Sequence, residues 1–312
     1  MPLSADGVRS HLRGVAVGLL TPFDDRLGVE HDKVAENAKT LYGEGIGTFL
    51  AAANISEYHA LSQEERIAVT ETSVNALPSD TCVLAGVGGS LDNALELIHA
   101  YDRIGVDAMM IMPPNFTYLH ERGLLQYYRK LDSETETPLV PYVRGFDPSP
   151  EYLADLTRID GIVGIKYALE DSVKLGEGAT QGANDVVWVN GLAEPFAVSH
   201  WAEGAEGFSA GVSNFRPEVG LALFDALSEG DWERARELRN ICMPYQRFRE
   251  ETGVDNEIEG AVSVPAVKAG LELAGLHGGN VRKPIRPLSE ADRTRAERLY
   301  DRLDADIERL IN

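Results

Sequence analysis

The part of the chain that decides the fold is a pair of short apolar segments joined by an amphipathic one. These are LVPYV at residues 139–143, the amphipathic residues 150–156, and GIVGIKY at residues 161–167. Both apolar segments have the length of a buried strand, and glycine and acidic turn residues bound the second. Strands joined by a helical crossover pair in parallel, so the stretch is a β-α-β unit.

The same alternation runs through most of the chain. Strands are predicted at residues 15–20, 48–52, 82–87, 108–112, 139–143, 162–166, 186–190 and 207–210. Helices are predicted between them at 33–42, 63–76, 92–104, 121–131, 150–156, 172–177 and 195–201. Eight parallel strands with helical crossovers indicate an α/β fold, the closed (β/α)8 TIM barrel. A doubly wound open sheet is the main alternative, but no glycine-rich phosphate turn follows the first strand.

The chain is longer than the roughly 250 residues of such a barrel. We predict a barrel over residues 1–225 and a C-terminal helical extension over 226–312 that packs on it. After residue 213, which leads into the last helix of the barrel and then the extension, helices are predicted at 218–228, 232–249, 262–274 and 289–310. The loop HGGN at 277–280, followed by two prolines, separates the last two of them.

Composition limits the classes of function. The net charge of −21 argues against binding to nucleic acid or to an anionic membrane. No apolar run is long enough to span a bilayer, and no secretion signal is evident at the N-terminus, so we expect a cytoplasmic protein. Acidic residues are interspersed along the predicted helices and arginine outnumbers lysine, which favours a halophilic, salt-adapted protein. An ordinary solvated acidic surface is the alternative interpretation.

Lys166 is unusual because it stands at the C-terminal end of a segment predicted to be a buried strand. A desolvated lysine can lose its proton and attack a carbonyl, whereas arginine keeps its proton at any usable pH. The plain alternative is a lysine whose stem lies along apolar surface while its amine reaches water. In a TIM barrel the chemistry sits at the C-terminal ends of the strands, which favours the catalytic interpretation.

The other predicted strand ends supply a phenol, small polar groups and glycines. Tyr142 and Arg144 lie at the fifth strand, Gly191 follows the seventh, and Ser209 lies near the end of the eighth. We expect Arg144, Gly191 and Ser209 to bind substrate. The seven histidines show no paired spacing and no carboxylate cluster falls at a strand end, so neither a metal nor a cofactor is predicted. A covalent imine on Lys166 would then act as the electron sink.

The order of these motifs resembles the dihydrodipicolinate synthase / N-acetylneuraminate lyase family of class I, Schiff-base-forming barrel enzymes. The resemblance covers nearly the whole chain, from GLLTPF at residues 18–23 to the helical C-terminus. It implies that Lys166 is the imine lysine and Tyr142 the acid/base phenol. The family's carboxylate-binding loop aligns with ANISE at residues 53–57, so the resemblance implies that Asn54, Ile55 and Ser56 bind substrate. Backbone N–H groups of the loop would hold the carboxylate of a 2-oxo acid. It also implies a homotetramer.

Several departures separate the chain from the synthases within that family. Asn54 and Ile55 replace the two hydroxyl residues of the loop, although Asn54 could still hydrogen-bond the Tyr142 hydroxyl. Phe116 aligns with the tyrosine that a neighbouring subunit lends, with Tyr118 close by. Asp147 aligns with the synthase arginine. The sequences YVR at residues 142–144 and SNFRP at 213–217 look instead like the branch that handles 2-keto-3-deoxy sugar acids.

The function expected from the sequence is therefore a Schiff-base aldolase. It would cleave a 2-keto-3-deoxy sugar acid of the gluconate type, free or 6-phosphorylated, to pyruvate and an aldehyde. Arg144 would meet a distal carboxylate or phosphate, or else form a salt bridge within the protein. The alternatives are a dehydratase that keeps the imine and eliminates water from C4–C5, with or without decarboxylation, then dihydrodipicolinate synthase, and then a non-catalytic oxo-acid-binding barrel. The expected partner is a small 2-oxo acid.

Overall fold

The computed structural model describes residues 2–112 and 118–311. Eight parallel strands close into a barrel in the order of the sequence, and the last strand pairs with the first. This confirms the predicted TIM barrel. The strands are β1 (Val15–Gly18), β2 (Thr48–Ala51), β3 (Cys82–Val87), β4 (Ala108–Ile111), β5 (Leu139–Val143), β6 (Gly164–Tyr167), β7 (Val187–Asn190) and β8 (Gly207–Ser209).

Helices follow the strands in the expected alternation. The helices of the barrel are α2 (His31–Gly43), α3 (Gln63–Ala76), α4 (Leu91–Ile104), α5 (Glu121–Asp132), α6 (Pro150–Leu156), α7 (Ser172–Gln181), α8 (Glu194–Ala202) and α9 (Pro217–Ser228). The extension consists of α10 (Trp232–Arg249), α11 (Ser263–Leu273) and α12 (Glu290–Leu310). The predicted boundary at residue 225 falls in the last turn of α9. Within the described ranges, no helix is both long and apolar enough to cross a membrane.

Alternation along each strand divides the core into two layers. On β5 and β6, Val143 and Ile165 point outward and pack against the helices. Val140 and Tyr142 point inward, where they join side chains such as Leu84 in the interior of the barrel. Because successive strand residues face opposite sides of a sheet, this alternation also turns Lys166 toward the interior.

A short N-terminal helix, α1 (Ala5–Leu12), closes the end of the barrel opposite the site, and the sequence analysis missed it. The Ser4 hydroxyl accepts a hydrogen bond from the Gly7 N–H at 3.2 Å and so caps the helix. Val8 and Leu12 are buried in the same cluster as the inward-facing strand residues. With one N-cap and two apolar positions over eight residues, the helix carries too little periodicity to stand out.

Candidate active site

Lys166 and Tyr142 are direct neighbours on adjacent strands, at the C-terminal end of the barrel. They are register partners of β6 and β5. The Lys166 Nζ lies 3.8 Å from the centroid of the Tyr142 ring. Lys166 is 8% exposed and Tyr142 is 2% exposed. The structure therefore brings together, in a nearly dry setting, the amine and the phenol that the sequence singled out.

Both groups have altered proton affinities. Burial lowers the pKa of the Lys166 amine, and the nearby positive charge of Arg144 lowers it further, against the opposing effect of Tyr142. Burial alone would raise the pKa of the Tyr142 phenol, but the charges of Lys166 and Arg144 and the hydrogen bond from Arg144 bring that pKa below its ordinary value. A neutral amine is the nucleophile and a phenolate is the base that imine chemistry needs. The phenolate is favoured by a positive charge on Lys166, so it fits the protonated amine or the iminium and not the neutral amine.

Arg144 is exposed at the mouth of the barrel and reaches back to the Tyr142 phenol. Its Nη1 donates to the Tyr142 hydroxyl at 3.1 Å. Within the described residues, this hydroxyl is the side-chain hydrogen-bond partner of the Arg144 guanidinium. The salt bridge that the sequence analysis considered for Arg144 is absent among the described residues. Asp147, which stands where the synthases have arginine, pairs instead with Lys174.

Arg249 is a second arginine of the mouth, and the sequence analysis did not single it out. It ends α10, and its Nη1 lies 2.4 Å from the place where a Cβ on Gly211, just after β8, would be. Its two Nη atoms donate to the Gln246 Oε1 and the Ser263 Oγ, while the buried Nε has no acceptor within the described residues. Burial lowers the pKa of Arg249, and the charge of Arg144 lowers it further. The charge of the buried Glu194 carboxylate opposes this shift.

The loop after β2 offers two backbone N–H groups. The N–H groups of Ser56 and Tyr58 donate to the Ala53 carbonyl at 3.0 and 3.3 Å, and that of Glu57 donates to the Asn54 carbonyl at 3.2 Å. The N–H groups of Asn54 and Ile55 have no acceptor in the described part of the chain. Each belongs to a planar trans peptide whose carbonyl is one of those acceptors, so it points the opposite way, out of the turn. Two adjacent outward N–H groups can bind a carboxylate.

Ser56 holds this loop from inside. Its hydroxyl is buried, accepts from the Ala53 N–H at 3.0 Å and donates to the Leu19 carbonyl at 2.5 Å. The Thr21 hydroxyl donates to the Ser56 carbonyl at 2.8 Å. Predicted as a substrate contact, the Ser56 side chain is instead engaged in fixing the loop to the end of β1.

The side chains of Asn54 and Ile55 do not build a hydroxyl relay. Asn54 is exposed and makes no side-chain hydrogen bond within the described residues, so the bond to Tyr142 considered from the sequence is not formed. Ile55 is half-buried against β1, where its Cγ2 lies 2.2 Å from the place where a Cβ on Gly18 would be. The contribution of these two residues is the backbone N–H groups, with an apolar wall beside them.

Gly191 and Ser209 lie on the far side of Lys166. A Cβ on Gly191 would come within 3.2 Å of the Lys166 Cγ, so glycine leaves room for the lysine stem. Ser209 is 6% exposed, and its hydroxyl lies 3.4 Å from the Asn190 carbonyl. Both are at the same end of the barrel as Lys166, as expected for the ends of β7 and β8.

Glu194 fixes the loop that follows β8 and was missed by the sequence analysis. This fully buried carboxylate accepts from the N–H groups of Gly211, Val212 and Ser213 at 3.0, 3.2 and 3.0 Å. It also accepts from the Ser213 hydroxyl at 2.7 Å and from Gln246. A buried carboxylate needs such a set of donors. The sequence carries only a weak signal for this role, a glutamate two residues after the Gly-Leu that follows the seventh strand and directly before a proline.

Phe116, which aligns with the tyrosine lent by a neighbouring subunit, lies outside the described residues. Tyr118, which the structure does describe, is 92% exposed. Across residues 2–112 and 118–311, no three His, Cys, Asp or Glu side chains are arranged to hold a metal ion.

Comparison with known proteins places this geometry in a family. The model of the dihydrodipicolinate synthetase family matches residues 11–302. The chain belongs to this family. Members of the dihydrodipicolinate synthetase family are lysine Schiff-base lyases and aldolases, in agreement with the buried Lys166 and Tyr142 pair.

Relatives within the family carry two kinds of name. A protein of Oceanobacillus iheyensis named a probable 5-dehydro-4-deoxyglucarate dehydratase is 26% identical over 277 residues, 87% of this chain and 88% of its own. A 4-hydroxy-tetrahydrodipicolinate synthase of Methanothrix thermoacetophila is 29% identical over 286 residues, 89% of this chain and 92% of its own. A crystal structure titled dihydrodipicolinate synthase, from O. iheyensis, has a TM-score of 0.91 at 26% identity and covers 97% of this chain and 100% of its own.

Proposed function

We propose that the protein dehydrates a 2-keto-3-deoxy sugar acid that carries an acidic group at both ends, through an imine on Lys166. The observation that carries the proposal is the buried Lys166 amine beside the Tyr142 ring, 3.8 Å from its centroid. A lysine imine makes the C3 protons of a 2-oxo acid acidic, because the iminium accepts the electrons that their loss leaves behind.

The carboxylate next to the carbonyl would be bound by the loop after β2. The outward N–H groups of Asn54 and Ile55 are suited to a carboxylate. The hydrogen bonds accepted by the Ala53 and Asn54 carbonyls keep these N–H groups in place. A 2-oxo acid held there by its carboxylate presents its carbonyl to an amine on the barrel wall. This supports a 2-oxo acid over a simple aldehyde or ketone.

The distal end of the substrate would face the arginines. Arg144 has no carboxylate partner within the described residues, and Arg249 lies beside Gly211, just after β8. A second carboxylate suits such a pair. The name of the O. iheyensis relative supports the same conclusion, since a deoxyglucarate has a carboxylate at each end.

The proposed elimination can be written for Tyr142 alone. Lys166 attacks the C2 carbonyl, and Tyr142 gives its proton to the carbinolamine hydroxyl, which leaves as water to give the iminium and the phenolate. The phenolate then takes a C3 proton to form the enamine, the enamine expels the C4 hydroxyl, and Tyr142 returns the proton to it so that water departs. Hydrolysis of the remaining unsaturated iminium releases the product and restores the Lys166 amine and the Tyr142 phenol. The sequence analysis placed the elimination at C4–C5; an iminium at C2 acidifies C3, so the elimination is across C3 and C4. Arg144 stabilises the phenolate through its hydrogen bond.

The aldolase expected from the sequence is the second candidate. The same phenolate could take the proton of the C4 hydroxyl instead, and the C3–C4 bond would then break to leave an enamine of pyruvate on Lys166. The lowered pKa of Tyr142 serves this step equally. The two reactions differ only in which substrate proton faces the phenol, and that is decided by how the distal end is held.

Product analysis tests the proposal directly. Purified protein is incubated with 5-dehydro-4-deoxyglucarate and with 2-keto-3-deoxygluconate, and pyruvate, aldehyde, carbon dioxide and dehydrated oxo acid are measured. Faster conversion of the dicarboxylate without pyruvate is expected. Pyruvate and an aldehyde would establish the aldolase, and carbon dioxide would identify the decarboxylating reaction. Failure of borohydride to trap either compound on Lys166 would overturn both candidates. The cytoplasmic location and the homotetramer remain predictions.

A further inference from the structure

We infer that Lys268, a residue of the C-terminal extension, is a positioning residue for the carboxylate of the substrate. It acts through Glu57, the last residue of the loop after β2. The inference rests on the proposed function, because that function assigns the carboxylate to the N–H groups of Asn54 and Ile55. It adds that the extension, and α11 in particular, sets how well a 2-oxo acid is recognised.

Lys268 and Glu57 form a buried ion pair between α11 and the barrel. The Lys268 Nζ lies 2.6 Å from the Glu57 Oε1, and the two side chains are 3% and 0% exposed. The same Nζ donates to the Thr21 carbonyl at 2.8 Å and to the Asn280 carbonyl. One ammonium thus joins the loop after β1, the loop after β2 and the segment before α12.

Glu57 is held in a conformation that a glutamate rarely adopts. Its φ is +60°, in the left-handed region. For a residue with a side chain, this costs about 1 kcal/mol or more, and it persists where the surroundings determine it. The surroundings are Lys268 at one oxygen and the Arg282 N–H, which donates to the Glu57 Oε2 at 2.9 Å.

The conformation of Glu57 in turn sets the direction of the binding groups. The Glu57 N–H donates to the Asn54 carbonyl, whose peptide carries the Ile55 N–H on its other side. The next N–H, that of Tyr58, donates to the Ala53 carbonyl, whose peptide carries the Asn54 N–H. Rotation of the backbone at Glu57 would loosen both acceptor bonds and turn both N–H groups away from the substrate.

A purely structural role for Lys268, attaching the extension to the barrel, would have a different consequence. Loss of that attachment would disturb Lys166 and the whole mouth alike. A positioning role predicts a loss confined to substrates that carry a carboxylate. Two ketones separate the roles: pyruvate needs the loop, whereas hydroxyacetone, which has no carboxylate, needs only the Lys166 amine.

The experiment measures the second-order rate of borohydride trapping of Lys166 with each ketone. Lys268→Met is expected to lower the ratio of the pyruvate rate to the hydroxyacetone rate at least tenfold, with the hydroxyacetone rate within twofold of wild type. Lys33→Met is the matched control, since Lys33 belongs to an exposed pair with Glu30 and should leave the ratio unchanged. An equal loss with both ketones, or an unchanged ratio, would overturn the inference.

A second variant covers the case in which Lys268→Met does not fold. Removing one member of a buried pair leaves an uncompensated charge, which removing both avoids. Glu57→Gln combined with Lys268→Met should therefore fold and show the same selective loss with pyruvate; a wild-type ratio in this variant would contradict the inference. If wild-type protein forms no pyruvate adduct, the proposed function fails and the inference with it. If the wild type reacts and the variants match it, the inference alone fails.

Discussion

The two sides of the proposed site are built in different ways. On one side, Tyr142 and Lys166 are fixed by the register of adjacent strands, and the barrel itself decides where they point. On the other, the loop after β2 has no strand partner and is held by Ser56, Thr21 and the Glu57–Lys268 pair. Strand ends can supply precise chemistry, while a loop held from several directions can be tuned separately for recognition. Changes on the strand side should lower the rate, and changes on the loop side should weaken binding.

The largest effect is expected from removing the amine. Lys166→Ala leaves no nucleophile for the imine, so turnover should fall by at least about 10³-fold. Borohydride and pyruvate should leave no adduct on the variant in peptide mass mapping. Rates near those of wild type would disprove the imine mechanism, and the strand side of the site would then have no assigned role in the chemistry.

Removing the phenol should have a smaller effect on the same side. Tyr142→Phe deletes the proton-transfer group but keeps the ring beside Lys166, so kcat should fall about 10²- to 10⁴-fold while pyruvate can still be trapped. Steady-state kinetics and trapping on the same preparation measure both. Tyr152→Phe, a change at a buried tyrosine of α6, serves as the control. An unchanged kcat would take the acid/base role away from Tyr142.

The loop side can be disturbed without touching either residue. In Gly18→Ala, the new Cβ would lie 2.2 Å from the Ile55 Cγ2, so Ile55 and its N–H must move. We expect KM for the 2-oxo acid to rise about tenfold, equivalent to 1.4 kcal/mol, with a smaller change in kcat. Gly43→Ala is the matched control, because a Cβ there meets nothing within 4 Å. A fall in kcat with constant KM would mean that the two sides are not separable.

The smallest effect concerns stability. Because burial lowers the pKa of Lys166, the folded protein holds that proton less strongly than the unfolded chain does. The resulting cost is fully present below the folded-state pKa and disappears as the pH rises above the ordinary lysine value. Lys166→Met should therefore raise the free energy of unfolding at pH 7 by about 1 kcal/mol, and the gain should shrink in alkaline solution. Denaturant titrations at several pH values would show this; a gain independent of pH would refute it.

The strand side was largely predictable from the sequence. Alternation within 139–143 and 161–167 points Tyr142 and Lys166 inward, and a single crossover places their strands side by side. The predicted strand ended at Lys166, whereas β6 runs from Gly164 to Tyr167. The ends differ because the apolar sequence marks which residues are buried, whereas the ends of a strand depend on its hydrogen bonds to the neighbouring strands.

The loop side was predictable only in part. The resemblance located the loop and implied that its backbone N–H groups hold a carboxylate, but not which of them lack a partner within the described residues or what fixes their direction. Nothing local marks Lys268 as a partner of this region, since it contacts Thr21 from 247 positions away in the chain. Glu194, the first residue of α8, and Arg249, the last residue of α10, are similar cases, because a charged residue at a helix end looks like any surface charge until its tertiary partners are known.

The short helix α1 also affects how molecules would come and go. With Val8 and Leu12 filling the interior at one end, Lys166 communicates with solvent through the other end. A substrate attached to Lys166 occupies the open end of the barrel. The water or aldehyde released first has to pass outward by the same route through which a water molecule must later enter to free the remaining product. The closed shape of the barrel would then set the order of product release, since the imine can be hydrolysed only after the first product has left through the open end.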